Sequence, residues 1–405
     1  MRRVVLTGLG TIGPHGSGTE PLAAALRSGD APLQSVEPCS LHGANSAGLA
    51  LYQQGELTPW LAPRAARRLS PSSKYAVAAA RQALQHAGVD DSGGAEQPRT
   101  SVRLGVSFGP SSVTESLLEQ ILRGNPQEAS PMLFMESVAN APAGQVAMAL
   151  DLRGPNAAIA QREAAGLLAF VGGVSDVTTG RCDRALVGAV DEVTSLTHGI
   201  LDRFDALARP TEDLPEGARP FSGNRNGMLL SEGCTVIVLE DEESAKRRGA
   251  PILARVAAAV RANDPTAPAS SWGRGGARLA KSLRRRLDAA GVDIASIDCV
   301  VSGAAGSVRG DRLEASTLRA LWGEQPLPRV VAPKSVTGEY GGGFLAAAVL
   351  ASGGAPVAPP KHFEVDPRLR IDLRDPRHEE ASNPRRTLVS ALAAGGAAAW
   401  IVLER

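Results

Sequence analysis

One segment of the chain places a chemically useful side chain where the backbone itself would act on it. Positions 154–166 read GPNAAIAQREAAG, and LLAFVGGVSDV follows. A strand of small residues runs into a sharp turn, and an Ala- and Leu-rich stretch at helical spacing begins at once. A side chain at such a turn meets the unpaired N–H groups and the positive end of the helix, a setting that favours negative charge. A thiol there would be drawn toward thiolate and could carry an acyl group. The residue nearest the helix start is instead Glu163. A carboxylate at this place either orients a water or a partner group, or fills space with its charge tolerated by the helix end and by Arg162.

Other chemistry-bearing patterns are sparse. Cys39, Cys182, Cys234 and Cys299 are widely separated and form no CxxC pair, the usage of buried or free thiols in a reducing cytoplasm. The histidines at 15, 42, 86, 198, 362 and 378 form no metal-ligand spacing. The glycine clusters lack a P-loop pattern, and the GLG near the start is too weak a signal for a nucleotide site. No metal and no nucleotide cofactor is expected. Lys+Arg (43) nearly balance Asp+Glu (42), and aromatic residues make up 3%. Neither bulk charge nor stacking platforms support nucleic-acid or membrane-surface binding. No apolar run approaches the length of a membrane span, and no signal-peptide core follows the arginines of MRRVVLTGLGTIG, so a cytoplasmic location is expected.

The elements that must position Glu163 follow a strand–helix alternation. Short β-branched runs at Arg3–Thr7, Arg103–Phe108, Arg184–Gly188, Thr235–Leu239, Cys299–Val301 and Ala398–Leu403 predict strands. Stretches at Ser73–Ala87, Val113–Arg123, Ala164–Thr179 and Gly275–Ala290 predict helices. The pattern points to an α/β protein with strands covered on both faces, and 405 residues suggest two similar lobes or domains. The strand CTVIVLED, preceded by SEG, and the strand AAWIVLER, preceded by AAGG, hint at a duplication. The segment 262–276, rich in Pro, Ser and Gly, reads as a connecting loop.

Five segments together carry a resemblance to the β-ketoacyl synthases. RRVVLTGLGTIGPHGSG resembles the family's opening strand, and ARPFSGNRNGMLLSEGCTVIVLEDEESAKRRGAPI the segment joining its halves. DIASIDCVVSGAAGSVRGDRLEA is similar to its first histidine motif, VVAPKSVTGEYGGGFLAA to its second, and AAGGAAAWIVLER to its last glycine turn and strand. These span almost the whole chain in family order. The resemblance implies a thiolase-like fold of two related halves, residues 1–245 and 246–405, in a five-layered αβαβα arrangement. Aligned through Gly154, Pro155 and Gly166, the family's cysteine position holds Glu163. Anchored on Gly310, Asp311 and Glu314, the first histidine position is Gly303. After the retained Lys334 and Gly338, the second is Glu339, and the gating phenylalanine position is Ala394. Lys334, Asp311 and Glu314 remain as relics of the old network, with Lys334 expected to pair with Glu339 or Asp311.

A carboxylate cannot form the acyl thioester, and without imidazoles nothing at these positions stabilises the enolate of malonyl decarboxylation. The pattern resembles the chain length factor of type II polyketide synthases, the ketosynthase β subunit, although that subunit usually carries glutamine where this chain has Glu163. The resemblance implies a heterodimer with a catalytic ketosynthase and a tunnel for an aromatic or highly reduced polyene chain. The substrate would ride on the phosphopantetheine of an acyl carrier protein. It places Ser112, Glu115, Leu118, Leu122, Leu133 and Phe134 at the dimer interface and tunnel wall, with Met132 and Met135 as adaptable packing. The basic stretches Arg64–Arg68 and Lys281–Arg286 read as solvated helix faces, with carrier docking as the alternative. The competing readings are a stand-alone decarboxylase, other acyl chemistry with Glu163 as general base, and a scaffold without a tunnel role.

Overall fold

The computed structural model describes residues 2–43, 48–89, 99–375 and 383–405. Its strands are β1 (Val4–Gly13), β2 (Gly16–Ser17), β3 (Gln34–Ser35), β4 (Leu49–Ala50), β5 (Thr100–Val106), β6 (Asn156–Ala160), β7 (Arg184–Asp191), β8 (Gly233–Asp241), β9 (Ala254–Asn263), β10 (Cys299–Ser302), β11 (Arg329–Val331), β12 (Arg386–Leu392) and β13 (Ala397–Glu404). Helices α1 (Thr19–Ser28), α2 (Pro63–Ala66), α3 (Pro71–His86), α4 (Ser111–Arg123), α5 (Pro131–Ser137) and α6 (Ala141–Ala149) precede the turn at Glu163. After it come α7 (Ala165–Thr178), α8 (Ser195–Arg203), α9 (Glu242–Arg247), α10 (Gly276–Ala289), α11 (Val308–Trp322), α12 (Lys334–Thr337) and α13 (Gly341–Ser352).

The duplication hinted at by two apolar strands is plain in the topology. The main strands run β11-β10-β12-β13-β9-β1-β8-β7-β5-β6. Read outward from the β1–β9 contact, each side follows the same order: first, fifth, fourth, second and third strand of its own set. The pairing senses repeat too. β1–β8 and β9–β13 are antiparallel, as are β8–β7 and β13–β12, whereas β7–β5, β5–β6, β12–β10 and β10–β11 are parallel. CTVIVLED and AAWIVLER occupy equivalent places.

Side-chain alternation builds five layers. On β7, Ala185 and Val187 face a central cluster with Leu167 and Phe170 of α7, whereas Leu186 and Val190 face α3. On β13, Ile401 and Leu403 face the same centre, and Trp400 and Val402 face α10 and α11. α7 and α13 thus form a middle layer that packs against strands of both sides. α13 has no polar face: Gly341–Val349 is buried throughout, as a helix enclosed between the two halves of the sheet requires.

Three expectations need correction. β1 does not stop at Thr7 but continues to Gly13. Gly8 and Gly10 extend it because α3 lies against them, with helix carbonyls 2.1 Å from where a Cβ would stand. β9 and β12 went unseen because ARVAAAVRAN and RTLVSAL are rich in small and polar residues, and burial between sheet neighbours overrides that composition.

Candidate functional site

Glu163 sits in the turn Arg162–Ala164 between β6 and α7. Arg162 before it is left-handed (φ 48°) and exposed; such a conformation costs a non-glycine residue roughly 1 kcal/mol or more. The guanidinium therefore does not shield Glu163 as the sequence suggested. The carboxylate turns instead toward the opposite half, where its Oε2 accepts the Ala394 N–H at 3.2 Å. Ala394 lies in the turn between β12 and β13, whose following Gly395 and Gly396 both have positive φ. The backbone N–H of Glu163 also faces its own carboxyl. Two amides from the two sides of the molecule converge on one carboxylate.

Behind it lies a buried ion pair. Lys334, fully buried, donates from Nζ to Glu339 Oε1 at 2.9 Å and Oε2 at 2.7 Å. The same ammonium stands 5.3 Å from the centre of the Phe344 ring, a cation–π distance. Glu339 follows Gly338, whose φ of 67° makes the turn out of α12, and its N–H donates to the Leu229 carbonyl at 2.7 Å. Glu314 on α11, also within the field of Lys334, accepts from Ser302 Oγ at 3.1 Å. Burial raises the carboxyl of Glu314. Glu339 is raised by burial against the opposing pull of Lys334. Burial and then the charge of Glu339 push Glu163 up to about 7, with Lys334 and the two amides pulling the other way. Three carboxyls share one ammonium, so the cluster holds protons near neutral pH.

The structure brings together Glu163, Glu339, Lys334, Glu314 and Ala394, and it separates Asp311. Asp311 accepts the Phe221 N–H at 2.8 Å and the Gly306 N–H at 3.2 Å, and Arg225 stands 4.0 Å away. It holds the loop after β10; Glu339, not Asp311, is the partner of Lys334. Gly303 lies at the end of β10, its N–H on the Ser390 carbonyl at 2.8 Å. A Cβ there would stand 2.8 Å from that carbonyl oxygen. The backbone has closed over the place where a side chain would be.

The six residues expected at an interface or tunnel wall divide in two. Ser112 donates through N–H and Oγ to Glu192 Oε1, both at 2.7 Å, and Glu115 accepts from Thr194 Oγ1. These fix α4 to the loop after β7. Leu118 (44% exposed), Leu122 (79%) and Phe134 (63%) lie open, and Leu133 is half-buried. Met132, Met135, Val138 and Met148 are likewise exposed, so α4, α5, α6 and the α5–α6 link carry a concentration of open apolar side chains. Met148 was missed because α6 is apolar nearly all round. Missed too were the buried carboxylates of the VDEV segment. Asp191 accepts the N–H groups of Ser107 at 2.8 Å and Phe108 at 2.9 Å, and burial pushes it up to about 7. Glu192 and Glu232 likewise take backbone N–H groups of Ser72 and Val193 at 2.9 Å. The run of two acids at the end of β7 signals Asp191 and Glu192, and nothing local signals Glu232.

The basic stretches around α2 and on α10 are exposed. Among the described residues no group of three or more His, Cys, Asp or Glu is placed to hold a metal, and no helix is long and apolar enough to cross a membrane.

A strand–turn–helix junction, paired with a glycine turn from an equivalent half, is a thiolase-like acyl-transfer architecture. The chain belongs to the beta-ketoacyl synthase family: residues 1–245 match the family's N-terminal domain and 253–353 its C-terminal domain. It is 29% identical over 388 residues to the granaticin polyketide beta-ketoacyl synthase 1 of Streptomyces violaceoruber, covering 93% of this chain and 90% of that one. It is 26% identical to 3-oxoacyl-[acyl-carrier-protein] synthase 2 of Staphylococcus aureus strain N315, covering 100% and 98%. Among solved structures it superposes on the ishigamide ketosynthase/chain length factor with a TM-score of 0.86 and 29% identity, covering 100% of this chain and 99% of that one.

Proposed function

We propose that this chain is the non-condensing partner of a catalytic ketosynthase and sets the length of a polyketide chain grown on an acyl carrier protein. The observation that carries this reading is the Lys334–Glu339 pair with Glu163 above it. Where a ketosynthase of this family needs a thiolate and two imidazoles, this chain has a carboxylate, a glycine and a carboxylate tied to an ammonium. A carboxylate held by two amides offers no nucleophile for thioester exchange, and it occupies donors that could otherwise stabilise an oxyanion. Both condensation and malonyl decarboxylation then fall to the partner subunit.

The exposed apolar side chains concentrated on α4–α6 support a partner, since large apolar groups clustered on a surface mark interaction sites. They adjoin β6, the last strand of the sheet, whose outer edge is unpaired among the described residues, and such edges invite pairing. The 29% likeness to a ketosynthase/chain length factor supports the assignment to that pair. In this reading Leu118, Leu122, Leu133 and Phe134 pack at the interface and border the growing chain.

The test is co-expression with candidate catalytic ketosynthases. A stable 1:1 complex that makes product is expected, with altered product lengths when Leu118 or Phe134 is enlarged or shrunk. A homodimer of this chain alone that decarboxylates malonyl-carrier protein would overturn the assignment. Unaltered product lengths across the series would remove the tunnel-wall role.

A further inference from the structure

Two histidines far apart in the sequence meet away from Glu163. His42 lies in the run 39–43 and His198 on α8, and their rings stack with centroids 5.1 Å apart. Their hydrogen bonds admit one proton pattern. A carbonyl only accepts, so His198 Nε2 carries a proton and donates it to the Leu49 carbonyl at 3.2 Å. His198 Nδ1 is then a lone pair that accepts from His42 Nε2 at 2.8 Å. His42 Nδ1 keeps the other lone pair and accepts the Cys39 N–H at 2.9 Å. Both rings are neutral, and all four ring nitrogens are engaged.

The contact is built for close approach. The Cys39 thiol donates to the Ser195 carbonyl on α8 at 3.3 Å, and the Gly43 N–H donates to Asp202 Oδ2 at 2.9 Å. Gly199, between those points on α8, admits the run: a Cβ there would stand 2.6 Å from Cys39 Sγ and 3.2 Å from His42 Cε1. Beside it the Val36 N–H donates to the Gly48 carbonyl at 2.9 Å, and Val36 and Ala50 join an apolar cluster with Val193, Leu207, Met228 and Leu230. The Leu51 N–H donates to the Leu230 carbonyl at 3.0 Å, and Leu230 bridges to Glu339. A single run, 229–231, thus separates this edge from the Lys334–Glu339 pair.

We propose that His42 and His198 form an acid-released clamp holding the run 39–43 on α8. A further proton has two places to go, and each breaks a bond. On His198 Nδ1 it faces the N–H of His42 across 2.8 Å. On His42 Nδ1 it faces the Cys39 N–H, and the ring must turn to the Cys39 carbonyl, 3.3 Å away, leaving that N–H without its acceptor. His42 is half-buried, which gives solvent protons access, whereas His198 is fully buried. Around the pair stand Asp202 on α8, Arg209 at 3.2 Å from its Oδ1, Asp205 at 3.0 Å from the same guanidinium, and Glu216 against Leu49. Burial lowers the His198 pKa and His42 adds to that, while the Leu49 carbonyl and Asp202 pull it up. Burial pushes Glu216 up to about 8, so it stays protonated while the histidines titrate. The clamp is complete above the ordinary histidine value of about 6.5 and is lost as pH falls below it. It stands on its own residues, whichever subunit performs condensation.

The test labels the full chain, in its purified assembly, with a dipyridyl disulfide at about pH 7.5 and about pH 5, on either side of the histidine range. Each rate is divided by that of the denatured chain at the same pH, which removes the thiol's own titration. Cys39 is half-exposed and the other three cysteines are buried, so mass spectrometry of the Cys39 peptide reads the clamp. Wild type should lose Cys39 protection about tenfold at the lower pH, the effect of one hydrogen bond, with Cys234 still protected. His42→Gln should keep the protection at both values, because its amide can donate to or accept from His198 Nδ1 by a flip and takes no proton. Gly199→Ala, shown to be folded by circular dichroism, should lose it at both, because the added Cβ displaces Cys39. A wild-type protection that does not change with pH, the same acid loss in His42→Gln, or Cys234 opening in step with Cys39 overturns the proposal. Should Gly199→Ala fail to fold, the wild-type and His42→Gln comparison decides alone.

Discussion

Replacing Lys334 by Met tests whether the core of the Glu163–Lys334–Glu339 cluster is held by charge. The ammonium sits 2.7 and 2.9 Å from the two Glu339 oxygens with no exposure. At an effective dielectric near 20 the gross attraction at this distance is about 6 kcal/mol, much of it offset by desolvating both ions. Removing one partner leaves the other buried and unpaired, which costs about 3–5 kcal/mol. Glu339 can escape part of that cost by taking a proton. Its folded pKa, already raised by burial, then rises further once Lys334 no longer opposes it. A carboxyl whose folded pKa exceeds its unfolded value is fully tolerated below the unfolded pKa and destabilises as pH rises through the window between the two. Lys334→Met should therefore be much less stable than wild type at pH 8 and closer to it at pH 5, measured by urea denaturation. Adding Glu339→Leu should recover much of the loss, because an apolar pair replaces a lone charge. A Lys334→Met variant within about 1 kcal/mol of wild type at pH 8, with no pH dependence, would refute the reasoning.

Glu163→Gln should leave product formation by the proposed complex intact, while gaining stability relative to wild type as pH rises from 4.5 to about 7. The gain should grow by at most about 1.4 kcal/mol per pH unit, because burial pushes the Glu163 pKa up to about 7 and the amide has nothing to titrate. Restoring a catalytic set by Glu163→Cys, Gly303→His and Glu339→His should not restore condensation, read by mass spectrometry of the acyl-protein. The Cβ at 303 would stand 2.8 Å from the Ser390 carbonyl, and Gly303→His alone should cost about 1–3 kcal/mol. At a separate place, His198 Nε2 must donate to the Leu49 carbonyl (3.2 Å), so its Nδ1 accepts from His42 Nε2 (2.8 Å), whose Nδ1 accepts the Cys39 N–H (2.9 Å). Burial lowers the His198 pKa, so this contribution is complete above about pH 6.5 and is lost on acidification; His198→Phe should flatten that limb, and imidazole nitrogen shifts should show the stated tautomers.

How much of this was legible in the sequence depends on whether a feature is local. Strands such as the one at Arg184 were readable because a short, continuous apolar run is what a strand buried on both faces requires. β9 and β12 were not: their alanines, serines and arginines carry no strand signal, and only the neighbours β13 and β10 make them strands. Glu163, Glu339 and Lys334 could be named from their motifs, and the choice of Glu339 over Asp311 could not. That choice depends on Phe221 and Gly306 offering amides to Asp311 from 90 and 5 residues away. The carbonyl that closes over Gly303 comes from β12, a strand the sequence hid. The exposed face of α4 and α5 was nameable by residue, but whether its side chains were enclosed or open was not.

The residues that stand at the three positions bear on the proposed loss of chemistry. A centre freed of its chemistry would drift most simply toward apolar packing, which often stabilises relative to a buried ion pair. This chain instead keeps Lys334 and sets a carboxylate beside it, and a second carboxylate reaches from the β6–α7 turn to the β12–β13 turn. The two turns belong to the two repeating strand sets, so Glu163 is a directional tie across the molecule where an apolar side chain would give only contact. Directional, buried polar ties specify geometry at a price in stability. The geometry they specify here is that of the β6–α7 and β12–β13 turns, one from each repeating strand set. Under the proposed function, holding them fixed would preserve the shape of the fold behind the α4–α6 face, as a subunit matched to a catalytic partner needs. On this argument Glu163→Ala should loosen the Ala394–Gly396 turn, seen as faster amide exchange at those residues, with little change at α4.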